Sequence, residues 1–394
     1  MRPTRDKVHL VASRSYVSYT KKQLKEKLHH NPYSFLHIIH PDLGSKQWHK
    51  IANNIARFRQ VREKYEDFVG KGILVRDISA GYYLYRQTKG GHAFIGIIAA
   101  VDLQDYLQGK IKAHEHTLSR RQETFTTYLD TTGINAEPVL LFHQPDKRLE
   151  ALYARFLQHR PEYEFTQATT VTHELWLIHE EKDIAEVRAI FSELPCLYIA
   201  DGHHRIASSA QLLQLAGQSR SDAIGYCMAL LMSEDRIRIS AFHRLVKDLN
   251  GRTEQELVSA LENDFVVESL PRTPREIAQG TICMYLQHHW YQLTPRHTET
   301  HWLAVKCLNE KILGPMLGIT DPRRDQRLTH PEGPLGIDYL KHRVDRENAA
   351  VAFALPPVLP SELKHVADIH QSMPPKSTWI EPKLRSGLVI YELS

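Results

Sequence analysis

Apolar residues recur along this chain with two different periods, and the alternation between them sets out its elements. Over Thr20–His30 and Gln47–Phe68 they return every three or four positions, which predicts amphipathic helices; Trp48, Ile51, Ile55, Phe58, Val61, Tyr65 and Phe68 form one stripe. Val8–Ala12, Ile73–Ile78, Tyr82–Arg86 and Ala93–Val101 read as strands. The last three, punctuated by Ser79-Ala80-Gly81 and Gly90-Gly91, predict an antiparallel meander. Arg120–Thr131 reads as a helix stopped at Gly133, Pro138–His143 as a strand and Lys147–His159 as a helix. Thr172–His179 is strand-like, Lys182–Leu194 helical, and Cys196–Ala200 a short apolar strand ending at Asp201-Gly202. A small-residue-rich helix, Arg205–Leu215, follows and stops at Gly217. Two strands, Tyr226–Met232 and Arg236–Phe242, and a helix, Thr253–Asn263, come next. The tail, with Pro356-Pro357, Pro360, Pro374-Pro375 and Pro382, reads as irregular. Strands and helices mix without strict alternation, so the expected class is α+β, with a mixed α/β sheet, rather than doubly wound.

Size and composition narrow the function classes. A chain of 394 residues with 42% hydrophobic and 24% charged residues is that of a soluble globular protein. The net charge of +4 is spread thinly, without a run of five basic residues, which argues against a nucleic-acid partner. Cys196, Cys227, Cys283 and Cys307 form no CxxC pair and read as buried reduced thiols. The longest apolar stretches fall short of the roughly 18 residues of a membrane helix. No membrane association and a cytoplasmic location are therefore expected; nothing in the pattern sets an oligomeric state.

Chemistry concentrates after the strand at Cys196–Ala200, in Asp201-Gly202-His203-His204-Arg205. A glycine at a strand-to-helix turn permits backbone conformations that other residues resist. The first amides of the helix are unpaired and lie at the positive end of its dipole, where an anion is the natural occupant. His203 and His204 add donors, Arg205 a two-pronged cation for phosphate, and Asp201 a cap or a ligand for Mg²⁺ or a hydroxyl. A merely capped helix with surface histidines is the alternative. A second set, His114-Glu115-His116-Thr117, lacks the spacing of a metalloprotease HExxH; Glu115 can serve as a general base and His114 as a donor to a transferring phosphoryl group. Lys376-Ser377-Thr378 offers a cation and two hydroxyls for phosphate, and Arg14-Ser15-Tyr16 follows the first strand and can line a substrate pocket. Both also read as ordinary turns. Walker, GxGxxG and GxSxG motifs are absent.

Asp201–Arg205 resembles the phosphate loop of the ParB/sulfiredoxin-like superfamily, in which a Gly-x-x-Arg segment opens a helix onto nucleotide phosphates and which includes an ADP-dependent free serine kinase. The whole chain resembles the domain of unknown function 1015 family through Asn31–Leu36, Gly109–Thr117, Ala200–Arg205, His243–Leu249 and Met373–Thr378. The resemblance implies a ParB/sulfiredoxin-like core with large additions over one family-wide region, 1–394. That region is expected to divide into 1–145, carrying the His-Glu-x-Thr element, and 146–394, carrying the phosphate loop and a C-terminal extension. It further implies ADP or ATP as the nucleotide, Mg²⁺ held through Asp201 or Glu115, and phosphoryl transfer involving a small hydroxyl compound such as serine or phosphoserine, in either direction. Lys383 is singled out by family position alone. Where the family carries an acidic residue followed by arginine, this chain has Thr124-Phe125, which puts its activity in question. Two rival readings stand beside the enzyme: a nucleotide-binding regulator of ParB-like type, and a metal-dependent hydrolase in which His114, His116, His203 and His204 converge on a transition ion.

Overall fold

The computed structural model describes residues 1–15, 18–40, 54–167, 170–217, 221–297, 302–346 and 348–393. The chain forms two compact units, Met1–Ile237 with Pro382–Ser394, and Arg238–Glu381. A division after residue 145 does not coincide with this boundary, because strands from either side of that position share one sheet. The class is α+β.

The first unit is built on eight strands: β1 (Tyr82–Lys89), β2 (His92–Asp102), β3 (Ile111–Lys112), β4 (Val139–His143), β5 (Tyr163–Thr166), β6 (Thr172–Ile178), β7 (Leu197–Asp201) and β8 (Tyr226–Ser233). They lie in the order β3-β7-β4-β8-β2-β1-β6-β5. Only β3 with β7 and β4 with β8 run parallel. The helices of this unit include α1 (Asn54–Gly70), α2 (Ser119–Thr132), α3 (Lys147–Leu157), α4 (Glu181–Glu193) and α5 (His203–Ala216). Leu149, Leu152, Val187 and Ile190 of α3 and α4 pack with Leu84, Ile97 and Trp176 of the sheet. Ile206 and Ala210 of α5 pack with Val139, Leu141, Ile199 and Ala229. The C-terminal segment returns to this unit, where Arg385–Ser386 pairs with Ser13–Arg14 and Tyr391–Glu392 with Ile134–Asn135.

The second unit carries an all-antiparallel sheet in the order Phe265–Leu270, His289–Pro295, Ile282–Leu286, Val351–Ala354, Arg244–Val246 and Leu328–Thr329. Along Ile282–Leu286 alternate residues serve two cores: Ile282, Met284 and Leu286 meet Leu257, Leu261 and Leu308, while Cys283 and Tyr285 face Leu340.

Several sequence expectations change. Val8–Ala12 is not a strand: Val8–Val11 forms a helical turn with Val8 and Val11 buried, and the extended residues are Ser13–Arg14. Ile73–Ile78 does not join the meander, because Leu74–Val75 pairs with Arg2–Pro3 and Ile78 is fully exposed. The strand flanking β1 away from β2 is β6. The proline-rich tail contains a helix, Pro360–Asp368, for which Pro360 supplies a ready-made first-turn dihedral. The 47–68 helix is described only from Asn54; it buries Phe58, Val61, Tyr65 and Phe68, as the stripe predicts, but leaves Ile55 exposed. All four cysteines are free thiols.

Candidate phosphate-handling site

Two short segments distant in sequence meet because β3 and β7 are parallel neighbours, with Leu197 opposite Ile111 and Tyr198 opposite Lys112. Both chains therefore leave the sheet at the same end. From β3 emerges His114-Glu115, and from β7 emerges Gly202 followed at once by α5. Helix α2, which continues from the first segment, lies against α5. Thr126 Oγ1 donates to Gln211 Oε1 at 2.9 Å, Ser208 Oγ donates to the Gln122 carbonyl at 3.2 Å, and the Leu118 amide donates to His204 Nε2 at 3.1 Å. Small side chains let α5 do this on one side and pack on the sheet on the other, where Ser209 Oγ lies 3.6 Å from Cys227 Sγ.

Gly202 is the N-cap of α5 with φ of +99°, a left-handed conformation that favours glycine. The Arg205 and Ile206 amides both bond back to its carbonyl, at 2.8 and 3.2 Å. The amides of His203 and His204 precede the first helical bonds and have no partner within the helix. A Cβ at position 202 would lie 2.8 Å from Arg205 Nε, so the glycine also makes room for the guanidinium.

The Arg205 side chain folds back over this turn. Its Nη1 donates to Glu137 Oε1 and its Nη2 to Asp201 Oδ2 at 2.8 Å, with 20% of the side chain exposed. Ser386 Oγ donates to the other Glu137 oxygen at 2.9 Å. Burial opposes the charge on Arg205, but Glu137 and Asp201 outweigh it and raise its pKa. Burial likewise opposes ionisation of Asp201; Arg205 first, then Lys383, overcome it and hold the carboxyl below its usual range.

His114 and His203 meet edge to face, ring centroids 4.5 Å apart, with only 1% and 5% of each residue exposed. Glu115 Oε2 lies 3.7 Å from His203 Nδ1. Neither nitrogen of His114, nor Nε2 of His203, has a hydrogen-bond partner among the described residues. Burial, reinforced by the neighbouring imidazole, pushes His114 down to about 3. Burial pushes His203 down to about 4 against the attraction of Asp201. His204 is lowered more mildly, by burial and then by Arg121. Both buried rings are therefore neutral at physiological pH and able to act as ligands or acceptors.

The other sequence-derived residues divide. Arg14 sits directly across the strand pair from Arg385, its guanidinium 4.6 Å from the Tyr19 ring. Ser15 offers its carbonyl to Ser18, and Tyr16 lies outside the described residues. His116 is exposed and stands apart from the His114–His203 pair. Thr124 bonds its own helix at Arg120, and Phe125 lies under Arg121. Lys376, Ser377 and Thr378 belong to the second unit. There Lys376 Nζ lies 4.8 Å from the Phe242 ring, Ser377 Oγ is buried and donates to the Pro374 carbonyl at 2.6 Å, and Thr378 opposes Ala241.

Sequence reasoning missed Glu137 and Arg385. Arg385 is 5% exposed and donates through Nε to His173 Nε2 at 3.2 Å, while His173 Nδ1 meets the Tyr85 hydroxyl at 2.7 Å. A pattern search has no handle on either, since Glu137 is a lone acid before a strand and Arg385 reaches its neighbours only through the returning C-terminal segment.

The model of a family described as "Protein of unknown function (DUF1015)" matches residues 1–312. No curated protein matches the chain. Among solved structures it is similar to a free serine kinase in complex with AMP, at 13% identity over 75% of this chain and 91% of that one, TM-score 0.39. It is also similar to a conserved hypothetical protein from Pyrococcus furiosus, at 13% identity over 75% and 95%, TM-score 0.37. A third is SbnI with a C-terminal truncation from Staphylococcus aureus, at 13% identity over 75% and 87%, TM-score 0.40.

Proposed function

The chain belongs to the family described as protein of unknown function (DUF1015), and from that premise we propose that it carries out nucleotide-dependent phosphoryl transfer involving a small hydroxyl compound, such as serine or phosphoserine. The observation that carries the reading is the position of Glu115 beside the helix start at Gly202: a carboxylate and an amide-lined anion cradle share one sheet end. ADP or ATP would seat its phosphates on the His203 and His204 amides, and Glu115 would take the proton of the acceptor hydroxyl. Arg205 is already engaged by Glu137 and Asp201, so its part is to hold the turn and supply positive potential rather than to offer a free fork. Mg²⁺ would accompany the nucleotide, with an oxygen of Asp201 or Glu115 completing its shell. Arg14 and Arg385, adjacent cations that meet no carboxylate among the described residues, suit an anionic group on the small substrate. A cytoplasmic location fits small metabolites of this kind.

Purified protein incubated with serine, Mg²⁺ and either ADP or ATP, and in reverse with phosphoserine, is expected to exchange a phosphoryl group in at least one arrangement. Glu115→Gln should abolish exchange while nucleotide still binds. Nucleotide binding with no turnover in any arrangement, unchanged by Glu115→Gln, would replace the enzyme with a nucleotide-binding regulator.

A further inference from the structure

We infer that His114, Glu115 and His203 form a binding site for a divalent transition ion of the zinc, cobalt or iron type. One donor atom from each of these residues lies within 4.8 Å of the other two. Bound ligands stand closer, with metal–nitrogen and metal–oxygen distances of about 2.0–2.2 Å. A rotamer adjustment of Glu115, whose side chain is 38% exposed, would draw the set together.

An independent observation points to the same occupant. A buried polar atom without a partner costs about 1–3 kcal/mol, and native interiors rarely leave one. Here three such nitrogens belong to two touching rings, and none of them has a hydrogen-bond partner among the described residues. Packing alone would be served as well by apolar side chains at these positions. A metal ion taking one nitrogen from each ring would satisfy at most two of the three, one on each histidine, and leave the second nitrogen of His114 without a partner among the described residues.

The donor set also selects the ion. Imidazole nitrogen suits zinc, copper, iron and nickel, whereas Mg²⁺ prefers oxygen and retains its waters. Two imidazoles and one carboxylate leave coordination positions free, as in catalytic rather than structural sites. Glu115 is the most exposed of the three ligands, and a phosphate oxygen or a hydroxyl can complete the shell from its side. Glu115 can hold the ion through Oε2 and keep Oε1 for a substrate proton. The site does not depend on the phosphoryl-transfer reading.

The full-length chain, stripped with chelator, is titrated with Co²⁺ alone and followed in the visible spectrum, then challenged with Zn²⁺. One equivalent of Co²⁺ is expected, with visible bands that Zn²⁺ bleaches. Losing an outer-shell partner of a metal site weakens binding by about 10–100-fold, so Glu115→Gln, which removes a ligand, should cost roughly tenfold or more. This half-exposed variant keeps the test valid even where His114→Ala or His203→Ala fails to fold. His116→Ala, at the exposed neighbouring histidine, should leave the titration unchanged. No stoichiometric Co²⁺ spectrum, or a loss from His116→Ala equal to that from Glu115→Gln, overturns the site. Calorimetric titration of the stripped protein with ADP separates the two readings: ADP binding without Co²⁺ binding removes the ion and leaves the nucleotide, and Co²⁺ binding without ADP binding does the reverse.

Discussion

Arg205 and Arg244 are both withdrawn from solvent, and both lie in the stretch matched by the family model, yet their surroundings are opposite. Arg205 keeps a fifth of its side chain exposed and answers two carboxylates, Glu137 and Asp201. Arg244 is fully buried and meets no acid among the described residues. Its Nη1 donates to the carbonyls of Phe242 and His243, its Nη2 to those of Pro375 and Lys376, and burial pushes its pKa down to about 9. A cation that answers only backbone carbonyls is a clamp: it ties the 242–243 turn to the 375–376 turn and fixes where Lys376 and Ser377 stand within the second unit. A cation held between two acids at an open helix start can instead adjust its field when an anion arrives. Two withdrawn arginines therefore need not share a role, and the presence or absence of facing carboxylates tells them apart.

The largest effect should come from breaking the clamp. Arg244→Ala strands two buried carbonyls, those of Phe242 and His243, at about 1–3 kcal/mol each, and two part-buried ones, so unfolding in urea should lose at least ~3 kcal/mol, read as an earlier transition of the second unit. The histidine pair holds the remaining state of a buried basic group, neutral and unpartnered, and its signature is a pH slope. Folded His114 and His203 titrate at about 3 and about 4, below the ordinary 6.5. An unfolded chain takes up those protons first as pH falls, so their contribution is intact above about 6.5 and is lost as pH drops toward 4 and then 3. Chelator-treated protein should lose on the order of a few kcal/mol across that window, and His114→Gln should flatten the slope.

Arg205→Ala should cost less stability, about 1–2 kcal/mol, because solvent reaches the two carboxylates it abandons. Its main effect should be on ADP, with affinity falling at least ~tenfold in calorimetry; adding Glu137→Gln should restore part of the stability but not the affinity. The mildest change is Gly202→Ala. The left-handed φ and the displaced Arg205 guanidinium together should cost about 1–2 kcal/mol, and ADP affinity should fall in step with the disturbed turn. An Arg205→Ala protein that melts as early as Arg244→Ala while binding ADP normally would erase the contrast between the two arginines.

Much of this was legible before any coordinates, for local reasons. Thr20 and Thr253 cap their helices through their own side chains, and Gly133 ends α2 in a left-handed turn, so short-range chemistry marked those boundaries. The β7–Gly202–α5 unit was readable because strand, glycine and small-residue helix are contiguous. Its partner was not. Strand β3 is two residues long, and its parallel pairing with β7 leaves no periodic trace, so whether Glu115 reaches the Asp201–Arg205 loop is not legible in the sequence. Glu137 and Arg385 enter through tertiary connections that no window of sequence contains. The Val8–Val11 turn shows the limit from another side: a short apolar run has the same composition as helix or strand, and packing decides.

The proposed chemistry requires that backbone amides at the start of α5 bind a nucleotide phosphate beside Glu115. A crystal structure of the protein soaked with ADP tests it most directly. A phosphate oxygen is expected about 3 Å from the His203 or His204 amide nitrogen, with the Glu115 carboxylate facing the same opening. ADP bound with its phosphates away from that helix start would contradict it.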